Sequence, residues 1–110
     1  MTSSGIPEQP ASELPSDAVL LDVREHDEWA AAHIESAVHI PIREVTVRFG
    51  ELPQGDPLYV ICRSGARSAR VAEFLRSQGT VAVNVAGGME DWAASGRPMV
   101  SETGRPPQVI

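Results

Sequence analysis

Cysteine occurs once in this 110-residue chain, at position 62, and Arg63, Ser64, Gly65, Ala66, Arg67 and Ser68 follow it directly. Those side chains can turn a thiol into a nucleophile if the backbone places them correctly. Leu58 to Ile61 is a continuous apolar run rich in β-formers, the pattern of a strand buried on both faces. From Ala66 onward Val71, Ala72, Phe74 and Leu75 recur at helical spacing among Arg70, Glu73, Arg76 and Gln78, and Gly79 supplies the stop. The sulfur is therefore expected at the C-terminal tip of a buried strand, facing the start of a helix. Free N–H groups and the helix dipole there favour negative charge, and Arg63 and Arg67 add formal positive charge. Gly65 suits a turn at positive φ that directs amides inward. The expected product is an anion cradle with a nucleophile at its base. The thiol should titrate below its free value of about 8.5. A lone cysteine can also be a small buried hydrophobe, but the basic, glycine-bearing loop and the helix start favour a reactive one.

The elements that must hold this loop alternate between strand and helix. Ala18 to Val23 reads as a strand ending in Asp22, a residue costly to bury unless paired. Ligands in open α/β sheets bind beyond the carboxyl ends of strands, where Asp22 and Cys62 both fall. Asp22 and Arg24 point to one side of a period-two strand. They could form a second shell that orients the loop, with Asp22 bonding loop amides or an arginine. A helix cap or a surface ion pair is the alternative. Arg67, at the helix start, is placed to bond loop carbonyls or Asp22, and Arg63 to lean over the pocket mouth. A short helix is expected over Glu25 to Ala32, with Asp27 and Glu28 in its first turn. His26, Trp29 and His33 share one face of it, but no carboxylate or cysteine completes a metal-ligand pattern. No metal and no cofactor are expected, Trp29 is read as packing, and His33 as bonding nearby backbone.

Further along, Ala37 to Ile40 is expected to form a short parallel strand. Pro41 suits a helix start. Ile42, Val45 and Phe49 fit a helical stripe, while Val45, Val47 and Phe49 also alternate as in a strand; the α/β alternation favours helix. Gly50 to Pro57 is a loop. Val81 to Val85 forms another core strand, Ala86-Gly87-Gly88 its turn, and Met89, Trp92 and Ala93 mark a closing helix that ends at Gly96. Residues 1–15 are expected to be a mobile segment with a possible edge strand at Gly5-Ile6-Pro7-Glu8, since Pro7 allows only an edge position. Ala11 to Leu14 could make a helical turn. The folded domain is expected over 16–100, with a tail over 101–110 that wraps the surface or is disordered.

Composition narrows the function classes. One domain and one core fit this length, and such a chain buries roughly 65% of its unfolded surface without a staple. The net charge of −6 argues against nucleic acid or an anionic membrane as partner. All nine basic residues are arginine, so lysine Schiff-base chemistry is excluded. A single cysteine excludes an internal disulfide, a Cys-x-x-Cys redox pair and a cysteine-rich zinc site, and it suits a reducing compartment. No stretch has transmembrane length or the layout of a signal peptide, so a cytoplasmic location is expected.

Cys62-Arg63-Ser64-Gly65-Ala66-Arg67-Ser68 resembles the active-site loop of single-domain rhodaneses, the thiosulfate or persulfide sulfurtransferases. Leu20-Leu21-Asp22-Val23-Arg24-Glu25 with Glu28-Trp29, and Gly87-Gly88-Met89 with Trp92, match in the same order, so the resemblance covers about Ala18 to Val100. The segment Ala32 to Pro41 is similar to the family's Gly-His-Ile-Pro-Gly-Ala…Ile-Pro but departs from it at Ala32, Glu35 and Ser36. The resemblance implies a three-layer α/β/α rhodanese-like domain with a mainly parallel sheet of four to five strands. It also implies a mechanism: Cys62 takes the outer sulfur of a small anionic donor, carries it as a persulfide, and yields it to cyanide, a thiol or a sulfur-carrier protein. Arg63, Ser64, Gly65, Ala66 and Arg67 would then bind substrate, with Asp22, Arg24 and Ser68 behind them. Two other readings remain open. One is a rhodanese-fold binding or sulfur-relay module without independent turnover. The other is phosphatase or arsenate reductase chemistry, which relatives of the same fold perform through Cys-x5-Arg; Cys62 to Arg67 is one residue shorter, a tight fit for a phosphoryl group.

Overall fold

The computed structural model describes residues 5–110; of the segment 1–15 expected to be mobile, residues 1–4 lie outside the described residues. Five strands, β1 (Glu8–Pro10), β2 (Val19–Asp22), β3 (Val38–His39), β4 (Leu58–Ile61) and β5 (Ala82–Ala86), form one sheet in the order β1-β5-β4-β2-β3. All neighbours are parallel. The helices are α1 (His26–Ala31), α2 (Ala66–Ser77) and α3 (Gly88–Ala94). From β2 the chain crosses to β3 on one side; from β4 it crosses to β5 on the other. Beyond the carboxyl ends of the central pair β2 and β4 lies the crevice where open α/β sheets bind ligands.

The period-two pattern of β4 divides the core. Leu58, Val60 and Cys62 join Leu21, Val71, Ala72 and Leu75 beneath α2. Tyr59 and Ile61 join Leu20, Val85, Met89 and Trp92 beneath α3. Both faces of the sheet are thus covered, the condition that lets a parallel strand be apolar throughout. The expected three-layer α/β/α arrangement and mainly parallel sheet are what the chain adopts, with five strands.

Two elements differ from the sequence expectation. The edge strand lies at Glu8–Pro10 rather than Gly5 to Glu8, with Asn84 N donating to Pro7 O at 2.9 Å. Pro10 is tolerated because β1 is an edge. The helix expected from Ile42 to Phe49 is instead a chain of turns between two short 3-10 segments, Ile42–Glu44 and Phe49–Glu51. Val45, Thr46 and Val47 are consecutive β-branched residues, poor helix formers, and the supposed stripe is not buried. Val45 is in the core, but Phe49 is 38% exposed.

Asp22 and Arg24 are both completely buried. Arg24 Nη2 lies 2.8 Å from Asp22 Oδ2, and Nε bonds Oδ1 and Oδ2 at 3.0 and 3.1 Å. The same guanidinium donates to Glu28 O at 3.2 Å and Ala32 O at 2.7 Å. A buried charge needs such full satisfaction. The pair stitches the end of β2 to the last turn of α1, and it stabilises the turn that Ala32, Glu35 and Ser36 make without the usual glycines and proline. Ala37 N closes that turn on Ile34 O at 2.9 Å.

Arg24→Met strands the Asp22 carboxylate in the core and is expected to destabilise the protein by about 3–5 kcal/mol. Asp22→Asn added to it should recover part of that loss. Urea unfolding measures both; a loss below about 1 kcal/mol for Arg24→Met would show that the pair does not hold the fold.

Candidate active site

Cys62 directly follows β4 and is 1% exposed. The loop after it turns at Gly65, φ +112°, which precedes the first residue of α2. Gly65 N, Ser68 N and Ser68 Oγ approach Sγ at 3.1, 3.4 and 3.2 Å. Amides can face the sulfur because the loop carbonyls face away and find donors there. Met89 N bonds Cys62 O at 2.9 Å and Glu90 N bonds Arg63 O at 3.0 Å, so the first turn of α3 backs the loop. Asn84 Nδ2 bonds Gly65 O at 3.1 Å. Gly88 permits the contact: its φ is +56°, and a Cβ there would sit 2.4 Å from Cys62 O. Gly87 and Gly88 turn the chain as expected, at φ +79° and +56°, and Gly88 in addition lets α3 close on the back of the loop.

Burial pushes the Cys62 thiol up, but the Ser68 hydroxyl and the amides of Ser68, Gly65 and Ser64 outweigh it and hold the thiol below its ordinary value. The direction is the one expected from sequence; the cause is narrower. The two arginines were expected to add to it; each is engaged by a carboxylate, and of the two Arg67 still feels the charge of Cys62. Arg67 forms a two-point contact with Glu28, 2.8 Å at each oxygen. The Glu28 hydrogen bonds raise the Arg67 guanidinium further above its already high value, and Arg67 in turn lowers Glu28. Arg67 therefore does not bond Asp22 as expected, because Arg24 already occupies that carboxylate. Arg63 extends to Glu90, Nε to Oε2 3.3 Å, with both side chains about half exposed.

The structure brings Cys62, Gly65 and Ser68 into direct contact and places Ser64 and Ala66 on the same turn. Asp22 and Arg24 stand one strand away, coupled to the loop through α1, whose Glu28 holds Arg67. Sequence reasoning missed Asn84, Glu28 and Glu90 as neighbours of the loop. A polar Asn84 inside the apolar run Val81 to Val85 was the available signal. His33 Nδ1 lies 2.8 Å from Trp29 O, and Trp29 stacks between His33 and His39 at 3.6 and 4.7 Å. These rings are away from the loop, and among the described residues no cluster of His, Cys, Asp and Glu is arranged to hold a metal. A groove of about 430 Å3 lined by Leu20, Ile34, Trp92 and Met99 contains none of the loop residues. That groove is therefore separate from the strand-tip cysteine.

A strand-tip cysteine under inward amides, in a five-stranded parallel α/β/α domain, is the arrangement of a rhodanese-like domain. A sequence model of the Rhodanese-like domain matches residues 8–95, and the chain belongs to that family. It is 36% identical over 89 residues to a sulfurtransferase of Allochromatium vinosum, covering 80% of this chain and 83% of that protein. Over 74 residues it is 47% identical to the Bacillus subtilis protein named "Putative sulfur carrier protein YrkF", covering 66% of this chain but only 40% of YrkF. The crystal structure of a rhodanese-related protein from Thermoplasma volcanium superposes with TM-score 0.71 at 37% identity, over 76% of this chain and 83% of that one.

A thiol held low in the folded state contributes stability above the unfolded thiol pKa of about 8.5, and loses it as pH falls through the folded value. The stability gap between the native protein and Cys62→Ser should therefore widen as pH rises toward the unfolded thiol value of about 8.5 and level off above it. Urea unfolding across that range reads it, with thiolate absorbance locating the midpoint. A gap that narrows with rising pH would refute the cradle.

Proposed function

We propose that the protein is a rhodanese-type sulfurtransferase in which Cys62 carries the sulfur. The observation that supports this most directly is the buried Sγ at the end of β4, receiving two loop amides and a hydroxyl. The names of its relatives, sulfurtransferase and sulfur carrier, support the same class of chemistry. The thiolate attacks the sulfane sulfur of thiosulfate or of a persulfide; an S–S bond forms to Sγ and the donor's S–S bond breaks. Sulfite or a thiolate leaves with the electron pair. An acceptor, such as cyanide or a thiol, then attacks the outer sulfur, and Sγ departs as thiolate. This is covalent catalysis in two displacements, with donors already in place for the charge on sulfur. Neither step calls for a cofactor.

The acceptor is proposed to be a thiol, free or borne by a sulfur-carrier protein, since a lone cysteine has no internal thiol to resolve its persulfide. A reducing cytoplasm suits such a residue, and among the described residues no helix is long and apolar enough to cross a membrane. Phosphatase chemistry is less well supported. The loop is Cys-x4-Arg, and the arginine a phosphoryl group would need is turned toward Glu28.

Intact mass measurement after incubation with thiosulfate should show one added sulfur, removable by cyanide or dithiothreitol and absent in Cys62→Ser. Turnover that persists in Cys62→Ser would overturn the assignment. Hydrolysis of p-nitrophenyl phosphate should be undetectable.

The arginines divide the kinetics. Arg63, in an exposed pair that contributes at most about 1 kcal/mol, is free to exchange Glu90 for an incoming anion. Arg63→Ala should raise the KM for thiosulfate about tenfold, a loss of roughly 1.4 kcal/mol, with kcat little changed. Arg67→Ala should instead depress kcat, because it releases α1 from the loop. An unchanged KM in Arg63→Ala would point to a protein-borne persulfide as donor.

A further inference from the structure

Behind Cys62 runs a chain of hydrogen bonds of which the two displacements above use only the last member, the Ser68 hydroxyl. Asn84, in the middle of β5, is 1% exposed. Its Nδ2 donates to Gly65 O at 3.1 Å and to Glu8 Oε2, on the edge strand, at 2.8 Å. Both partners are acceptors only, so the carboxamide has one orientation, with Oδ1 toward the loop. There Oδ1 accepts from Ser68 Oγ at 2.6 Å. Ser68 is completely buried, and its Oγ also lies 3.2 Å from Cys62 Sγ. A hydroxyl has one proton. It cannot serve Asn84 and Cys62 at once.

We propose that Asn84 is a positioning residue that contests the Ser68 hydroxyl proton, so that Ser68 hydrogen-bonds the Cys62 sulfur only when that sulfur carries charge. With a neutral thiol, S–H donates to Ser68 Oγ and the hydroxyl donates to Asn84 Oδ1, a chain with every member satisfied. With a thiolate, the hydroxyl proton turns to Sγ and Oδ1 gives up its donor. The proposal rests on Cys62 being the reacting sulfur, and it gives the second displacement a specific device. In a persulfide the inner sulfur is neutral and the charge sits on the outer one, so Ser68 remains turned to Asn84. When the acceptor takes the outer sulfur, the S–S bond breaks, its electron pair returns to Sγ, and the hydroxyl turns to meet it. A hydrogen bond made as charge develops lowers the barrier, whereas one made equally before and after does not.

The charged groups on the surrounding elements are each held by a partner. Arg67 of α2 is paired with Glu28 of α1, Arg63 with Glu90 of α3, and Asp22 with Arg24 beside β2. Glu8 of β1 is bonded to Asn84 itself. The rotor's own contribution can therefore be read from the Cys62 titration.

Thiolate absorbance against pH, referenced to Cys62→Ser, is measured for the native protein, Ser68→Ala, Asn84→Ala and the double variant. Ser68→Ala should lower the thiolate-to-thiol ratio about fivefold, the factor one net hydrogen bond carries. Asn84→Ala should raise that ratio, about threefold, because the rival acceptor is gone. In the Ser68→Ala background that rise should be absent. A role confined to tethering Gly65 O would lower the ratio in both backgrounds, and either that result or no change in Asn84→Ala overturns the proposal. A readout without any Asn84 substitution guards against misfolding. The Asn84 carboxamide resonances should follow the Cys62 midpoint in the native protein and stop following it in Ser68→Ala; resonances that stay fixed through the native titration would overturn the proposal equally. Both readouts are blind to sulfur uptake, so a protein that failed to accept sulfur would refute the proposed function and leave this result to stand or fall separately.

Discussion

A sulfur that is 1% exposed has no water to stabilise its charge, so the protein must supply every donor. That requirement accounts for most of what surrounds Cys62. A peptide turn presents N–H groups on one side only if its carbonyls are satisfied on the other, since buried backbone groups cannot be left unpaired. Met89 N, Glu90 N and Asn84 Nδ2 meet that demand from α3 and β5. The cradle is therefore not a property of the loop alone. It is a loop held open by β5 and α3, and the absence of a Cβ at Gly88 lets α3 approach.

The charges near the site obey a second constraint: each is balanced before any substrate arrives. Asp22 with Arg24, Arg67 with Glu28 and Arg63 with Glu90 differ mainly in burial. The innermost pair serves the fold, and the outermost remains exchangeable. Helix α1 links the first two although none of its six residues is buried. Polar contacts hold it: a capping box between Glu25 and Glu28 at its start, Arg24 on Glu28 O and Ala32 O at its end, and the C-terminal segment, where Glu102 N and Gln108 N donate to Ala30 O and Ala31 O. A helix with so little packing can still fix Arg67, because a two-point guanidinium–carboxylate contact specifies direction as well as distance.

Local pattern alone determined the elements whose burial is one-sided or complete. Leu58 to Ile61 and Ala66 to Gly79 were readable because a buried parallel strand and a long amphipathic helix repeat their signal over many residues. Cys62, Gly65 and the helix start are adjacent in the chain, so their chemistry was readable too, and so was the placement of Asp22 and Arg24 on one side of the strand, though not that they bond each other. The segment from Ile42 to Phe49 carried two periodicities at once, and the structure adopted neither, since its apolar residues had no continuous surface to cover. What only the tertiary structure decided is which distant groups complete the site. Glu28, Asn84 and Glu90 reach the loop from three other elements, and the sheet order that carries them there is absent from any local window. Arg67 shows the difference most directly. Its charge and its place beside the sulfur follow from the sequence; its partner is Glu28 rather than Asp22 because Arg24 had already filled the buried carboxylate, a competition settled by packing in three dimensions.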